Sequence, residues 1–250
     1  MKMIKETRGS EILHSALLLG QQEGFERLTM ARLAEHAGCA VGSVYREFAS
    51  KEDVLVALGV RVLQAVTPAV ESVVVGQSYA SHAVLRYLLA GLHLRQQLPW
   101  FSYLLQLMNE ERVWDKISSE TQSECRLFWR QHLTQISEVI QQAEDQALAP
   151  LSASQLQQLL PSFWALLSGY EQSRLHPVWH QVLPELTISV NNPFMQSMLS
   201  LINIQPWAHQ NPLDAFHLQE HSKDLSEHLT GIIELFNTQV SDTWALIKVA

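Results

Sequence analysis

Apolar residues recur at three- and four-residue intervals along most of the 250-residue chain, while strict alternation is scarce. That period predicts helices throughout and an all-α fold. Over residues 10–22, Ile12, Leu13, Ala16, Leu17 and Leu19 line one side, with Gly24 as the stop. Thr29 has the chemistry of an N-cap and opens a short helix through Leu33, Ala34 and Ala37. Gly38 ends it, and a second short helix fits Val41 to Phe48. Ser50, with Asp53 three residues on, forms a capping box for a longer helix carrying Val54, Leu55, Leu58, Val62 and Val66 on one side.

Beyond Pro68 the pattern predicts a bundle with helices near 80–97, 100–114, 120–147, 154–174 and 219–247. Pro99 and Pro150 punctuate it, and Pro161 should kink or shorten the fourth of these helices. The interval 176–216 holds five of the nine prolines and reads as an irregular connection with one short helix at Met195–Leu201. No internal repeat or low-complexity tract interrupts the series.

The pair Thr29–Ala37 and Val41–Phe48, joined by Gly38-Cys39-Ala40, has the layout of a helix-turn-helix. Ala34 is small where two helices cross, and Gly38 tolerates the positive φ of the turn. Leu33, Ala37, Val44 and Phe48 are the expected core against the first helix. Gly42 and Ser43 let the second helix approach another surface closely, as a recognition helix does in the DNA major groove. Hydroxyls of Thr29, Ser43 and Tyr45 suit phosphate oxygens, and Lys51 adds a positive charge beside them. Arg32 joins this set from the first helix of the pair. Arg46 carries the donor fork that fits guanine O6 and N7.

The totals narrow the alternatives. With 47% hydrophobic and 17% charged residues, the chain can bury a real core. The net charge of −8 opposes general nucleic-acid coating. It is uneven: residues 1–55 hold seven Lys/Arg against eight Asp/Glu, and residues 56–250 hold ten against seventeen. A polyanion would therefore meet the first part, where Met3–Arg8 and Lys2 form a basic arm. The start lacks the apolar core of a secretion signal. Two distant cysteines, Cys39 and Cys125, lack metal or redox spacing and indicate a reducing, cytoplasmic setting.

The stretch "ILHSALLLGQQEGFERLTMARLAEHAGCAVGSVYREFASKEDVL" resembles the N-terminal DNA-binding domain of TetR-type (tetracycline-repressor-like) transcriptional regulators. The likeness runs without gaps over 12–55, through "EGF", Thr29, "LAEHAG", "VGSVYREF" and "SKED". It implies a three-helix helix-turn-helix domain over 1–55 and a helical effector-binding and dimerisation domain over 56–250. By position it implies phosphate contacts for Thr29, Ser43, Tyr45 and Lys51, and base-edge contacts for Val41, Gly42 and Arg46. Three positions depart from the family pattern. Ala40 replaces a capping serine, Val41 replaces a lysine or small polar residue, and Glu47 replaces an aromatic or histidine that meets phosphate.

All seven tryptophans follow residue 99. Most would fill core, but Tyr103, Met108, Trp129, Trp164 and Tyr170 on the central helices are candidate contacts for a small, largely apolar effector. The last helix has the stripe Leu225, Leu229, Ile232, Ile233, Phe236, Val240, Trp244 and Ile247, and helix 154–174 has Leu156, Leu159, Leu160, Phe163, Leu167 and Tyr170. Together they resemble the two helices that each TetR-type subunit gives to a four-helix dimer contact, with Leu159, Phe163, Leu229, Ile232, Ile233 and Phe236 as its centre. A homodimer would read a palindromic double-stranded operator.

The histidine pairs His217/His221 and His176/His180 have helical metal spacing. Neither a carboxylate nor a cysteine completes a site, and Pro177 interrupts the second pair, so no metal or cofactor is expected. There is no phosphate loop, nucleophile elbow or paired-carboxylate pattern, so no enzyme is expected. The reading is a DNA-binding transcriptional regulator, a repressor released by its effector, with no membrane partner. The alternatives are an enzyme, a carrier or a protein-binding module in the C-terminal bundle, with the DNA module as accessory.

Overall fold

A computed structural model describes residues 8–143, 151–179, 181–183, 187–189, 191–207 and 212–238. Every regular element among them is helical. In chain order these are α1 (Arg8–Glu23), a 3-10 turn (Phe25–Arg27), α2 (Met30–His36), α3 (Val41–Glu47), α4 (Lys51–Val74), α5 (Ala80–Gln97) and α6 (Pro99–Met108). Then follow α7 (Glu111–Trp114), α8 (Ser119–Gln142), α9 (Ala153–Leu175), α10 (Pro193–Asn203) and α11 (Ala215–Thr238).

The caps explain most boundaries. Ser152 and Gln155 form a reciprocal capping box at α9. Asn192 accepts from the amides of Phe194 and Met195 and, with Pro193 at the first helical position, starts α10. The expected helix over 100–114 is two helices. Asn109 turns its amide back to the Leu105 carbonyl (3.0 Å), and the chain restarts as α7. The Trp114 indole then closes the break by donating to the Met108 carbonyl (2.9 Å).

Pro161 does not shorten α9, and α4 runs through Pro68 to Val74. Both prolines stand on exposed faces, where water can take the carbonyl that lacks its donor. Of the last-helix stripe, Val240, Trp244 and Ile247 lie outside the described residues.

The chain divides into two compact units. One comprises the described parts of 1–67, 95–130 and 231–250, and the other those of 68–94 and 131–230. The expected domain boundary at 55/56 falls inside α4, and the units do not follow it. By length and composition α4 could cross a membrane, but two thirds of its apolar window (67%) is buried inside the protein.

In the first unit, Ile12, Ala16, Leu17, Leu33, Val44, Val54 and Leu55 are almost wholly buried. In the second, Leu85, Leu89, Ile136, Ile140, Leu156 and Leu160 supply the equivalent apolar core. Burial at this density is what stabilises helices too short to persist alone.

Candidate nucleic-acid interface

The site is built from α1, α2 and α3. Thr29 Oγ1 accepts from the Arg32 amide (3.2 Å) and caps α2. At the other end the Cys39 amide reaches the Ala34 carbonyl (2.9 Å) and the Gly38 amide reaches the Glu35 carbonyl (3.2 Å). This is a Schellman closure, with Gly38 at φ +61° supplying the left-handed residue it requires. The chain leaves it through Ala40, which caps α3 with no side-chain bond.

Leu33, Ala34, Val44 and Phe48 are buried and fix α3 against α1 and α2. Ala37, expected in this core, is only half-buried. As the α2 C-cap it has already turned away from the helix axis, and Ala34 fills the crossing instead.

With Val44 and Phe48 inward, the opposite face of α3 is presented to solvent. Val41 is 39% exposed and Tyr45 55%, and Gly42 and Arg46 lie exposed between them. A Cβ added at Gly42 would meet nothing within 4 Å, so its value is to let a partner approach the backbone. Arg46 Nη2 donates to Ser43 Oγ (3.0 Å), which leaves the Ser43 proton and the rest of the guanidinium for a ligand. Arg32 is held by Glu23 (2.6 Å). Lys51 Nζ donates to the Glu26 carbonyl (2.7 Å), and burial lowers its ammonium from the usual range. The eight expected DNA contacts thus surround one helix-turn-helix, but Lys51 and Arg32 are engaged while Arg46, Tyr45 and Val41 are available.

Residues 12–58 match the family of bacterial regulatory proteins, tetR family. The matched stretch is a tetR-family DNA-binding module that spans α1 from Ile12, α2, α3 and the first turns of α4. A tetR-family transcription regulator from Shewanella sp. PV-4 superposes with a TM-score of 0.51 at 22% identity, over 79% of this chain and 96% of its own. At that identity the likeness speaks to the fold. The superantigen PfiT is also similar in structure, with a TM-score of 0.45 at 22% identity, over 73% of this chain and 90% of its own. No curated protein matches the chain in sequence.

The expected effector contacts fall in both units. In the first, Tyr103 stacks on Phe25 (5.9 Å between ring centroids, 5° between planes). Met108 packs on Gly59, where a Cβ would collide with its sulfur, and Trp129 meets the edge of Phe128 (5.3 Å). In the second, Tyr170 lies 4.4 Å from Phe194, while Trp164 covers Gly91 and stands edge-on to Tyr87 (5.9 Å).

Sequence reasoning passed over the group beside Trp164. The Tyr87 hydroxyl and His132 Nε2 are 3.0 Å apart, both buried. Burial holds the Tyr87 phenol well above its usual range, against the opposing pull of a hydrogen bond with Trp164. Burial pushes His132 down to about 4. Tyr87 and His132 sit in unremarkable helical runs, so no local pattern marks them.

The expected dimer residues are mostly spent within one chain: Leu229, Phe236, Phe163 and Ile233 are buried, and Leu159 and Ile232 half-buried. The outward side of α9 instead shows Ser162, Ala165, Leu166 and Gly169. Leu166 is 47% exposed.

His217 and His221 sit on α11 as the spacing predicts, yet His221 Nδ1 faces the Arg86 guanidinium (3.3 Å) and its Nε2 faces His82 Nδ1 (3.0 Å). A guanidinium only donates, so His221 Nδ1 is the acceptor and its proton lies on Nε2, toward His82. Arg86 is itself paired with Asp224 (2.5 Å). Of the other pair, His176 Nδ1 accepts from the Val178 amide (3.2 Å), and His180 lies outside the described residues. Among the described residues no three His, Cys, Asp or Glu side chains are arranged to hold a metal.

Proposed function

We propose that this protein is a homodimeric, cytoplasmic repressor that leaves its operator when a small uncharged effector binds the helices after α4. The observation that carries the DNA half is the outward face of α3, where Val41, Gly42, Tyr45 and Arg46 stand exposed beside a glycine-closed turn. Such a face presents a donor fork, an aromatic hydroxyl and a methyl-bearing side chain to the major groove. Thr29, Ser43 and Tyr45 would hold phosphates, with Arg32 and Lys51 changing partners on contact.

The effector would sit against Trp164 and Tyr170, and Tyr103, Met108 and Trp129, in the other unit, are separate candidates. The buried Tyr87–His132 pair supports an uncharged ligand. A neutral phenol and a neutral imidazole offer one hydrogen bond without a charge to balance. The two-fold contact would use the outward side of α9, around Leu166 and Ala165, with Leu159 at its margin.

Enrichment of duplexes from a random pool by the purified protein tests the reading. A palindromic sequence with half-sites one helical turn apart is expected. Recovery of unrelated sequences would reject it.

A further inference from the structure

One carboxylate serves the starts of two helices. Asp53 is fully buried and sits three residues into α4 after its cap, Ser50, whose hydroxyl accepts from the Asp53 amide (3.0 Å). The returning bond goes one residue further back than in an ordinary capping box: Asp53 Oδ2 accepts from the Ala49 amide (2.7 Å). The other oxygen faces a different part of the chain. Asp53 Oδ1 accepts from the amide (3.1 Å) and hydroxyl (3.2 Å) of Ser118.

Ser118 is itself the residue before α8, and its hydroxyl accepts from the Thr121 amide (3.2 Å). Asp53 therefore takes from α4 the acidic half of a capping box, the bond to the Ser118 amide, because the third position of α8 is Thr121 and the Glu120 carboxylate stands one residue earlier. A negative charge between two helix N-termini is favoured by both dipoles.

Two further contacts join the same segments. Ser50 Oγ donates to the Lys116 carbonyl (2.7 Å), and Lys116 Nζ pairs with Glu52 (2.7 Å). Only Phe48, Ala49 and Ser50 separate α3 from α4, so whatever fixes Ala49 and Ser50 fixes the exit of the recognition helix.

We infer that Asp53 is a positioning residue for DNA reading. It clamps the α3–α4 corner to the 116–118 turn, so that displacement of the α8 start is transmitted to α3. The inference rests on the regulator reading above and adds a control point to it.

Hydrogen exchange on the full-length chain tests the clamp without DNA. Ser118→Ala removes one donor to Asp53 and should speed exchange of the Ala49 and Asp53 amides by about tenfold, 65 or more residues away in sequence. Ser118 Oγ also lies 3.1 Å from Thr121 Oγ1; Thr121→Val removes that hydroxyl and leaves Asp53 its bonds, so it should leave those amides unchanged. Equal acceleration by both variants, or by neither, would overturn the clamp.

A second arm is a double-mutant cycle of Asp53→Asn and Ser118→Ala on a duplex enriched by the wild type. Coupling of about fivefold or more in affinity is expected, with binding to random duplex unchanged. Strictly additive effects would overturn the positioning role. Failure to enrich any duplex would sink the regulator reading, and the exchange result would still decide the clamp.

Discussion

The outer edge of the Trp164 indole of α9 lies against Gly91 of α5, on the ground a Cβ at residue 91 would occupy. Gly91 is therefore held by packing, since nothing in its backbone conformation demands glycine. Its absent side chain also lets Trp164 stand edge-on to Tyr87, which carries the buried bond to His132.

Gly91→Ala should displace the indole and cost about 1–3 kcal/mol of stability, as overpacking does. Trp164→Leu in the same chain should restore part of it. Chemical denaturation of the single and double variants reads this directly, and losses that simply add would show that the two residues do not share the space.

Gly38 is constrained by conformation alone. Its φ is +61° and a Cβ there would touch nothing within 4 Å. Gly38→Ala should thus cost about 1 kcal/mol purely through the left-handed backbone, and Gly38→Asn less. Thermal melts of the three proteins give the order. Alanine and asparagine variants of equal stability would contradict it.

Arg46 and Lys51 should separate on DNA. Arg46 is exposed and bonded only within α3, to Ser43, in the contact seen. Arg46→Ala should lose about 1–3 kcal/mol on the enriched duplex and little on random DNA. Lys51→Ala should weaken both duplexes alike and reduce the salt slope by about one contact. It should also lower the melting temperature, because Lys51 ties α4 to the Glu26 carbonyl. Binding isotherms across a salt series distinguish the two, and a uniform loss for Arg46→Ala would assign it to the backbone.

Acid should destabilise the protein through its buried histidines. Burial holds His132 at about 4. Burial, then His82 and Arg86, holds His221 at about 4. Both return to about 6.5 on unfolding. Between those values the unfolded chain binds more protons. Stability is thus complete above about pH 6.5 and lost as pH falls toward about 4, by about 1.4 kcal/mol per pH unit for each histidine. Urea titrations at about pH 7 and about pH 5 measure the slope. His132→Gln should remove one histidine's share, and an unchanged slope would mean that His132 already takes up its proton in the folded chain.

Assembly should respond to Leu166 and not, in the first place, to Phe236. Phe236 is 1% exposed, and its carbonyl accepts from Gln21 (3.1 Å). Phe236→Asp should therefore cost about 3 kcal/mol or more in folding. Leu166→Asp should leave the melting temperature nearly unchanged while shifting light scattering from dimer to monomer. A folded dimer in the Leu166 variant would place the two-fold contact elsewhere.

The helices and the reading head were legible because their determinants are local. Thr29, Gly38, Ser50 and Asp53 act on neighbours within a turn or two, and a period of three to four residues marks each buried stripe. Cap and turn chemistry depend on nearby sequence alone, so the helix-turn-helix and the exposed face of α3 follow from residues 29–51. The sequence also determined that residues 193–203 could restart a helix, through Asn192 and Pro193. What only the tertiary structure decided are partnerships across long separations: Asp53 with Ser118, Tyr87 with His132, Gly91 with Trp164, His221 with Arg86 and His82. The same period that marks a buried stripe cannot say what buries it. That is why Leu229 and Phe236 read equally well from their spacing as dimer contacts and as core. A carboxylate or imidazole spaced like any surface residue reveals its role only when a partner 45 to 139 residues away meets it in a place from which water is excluded.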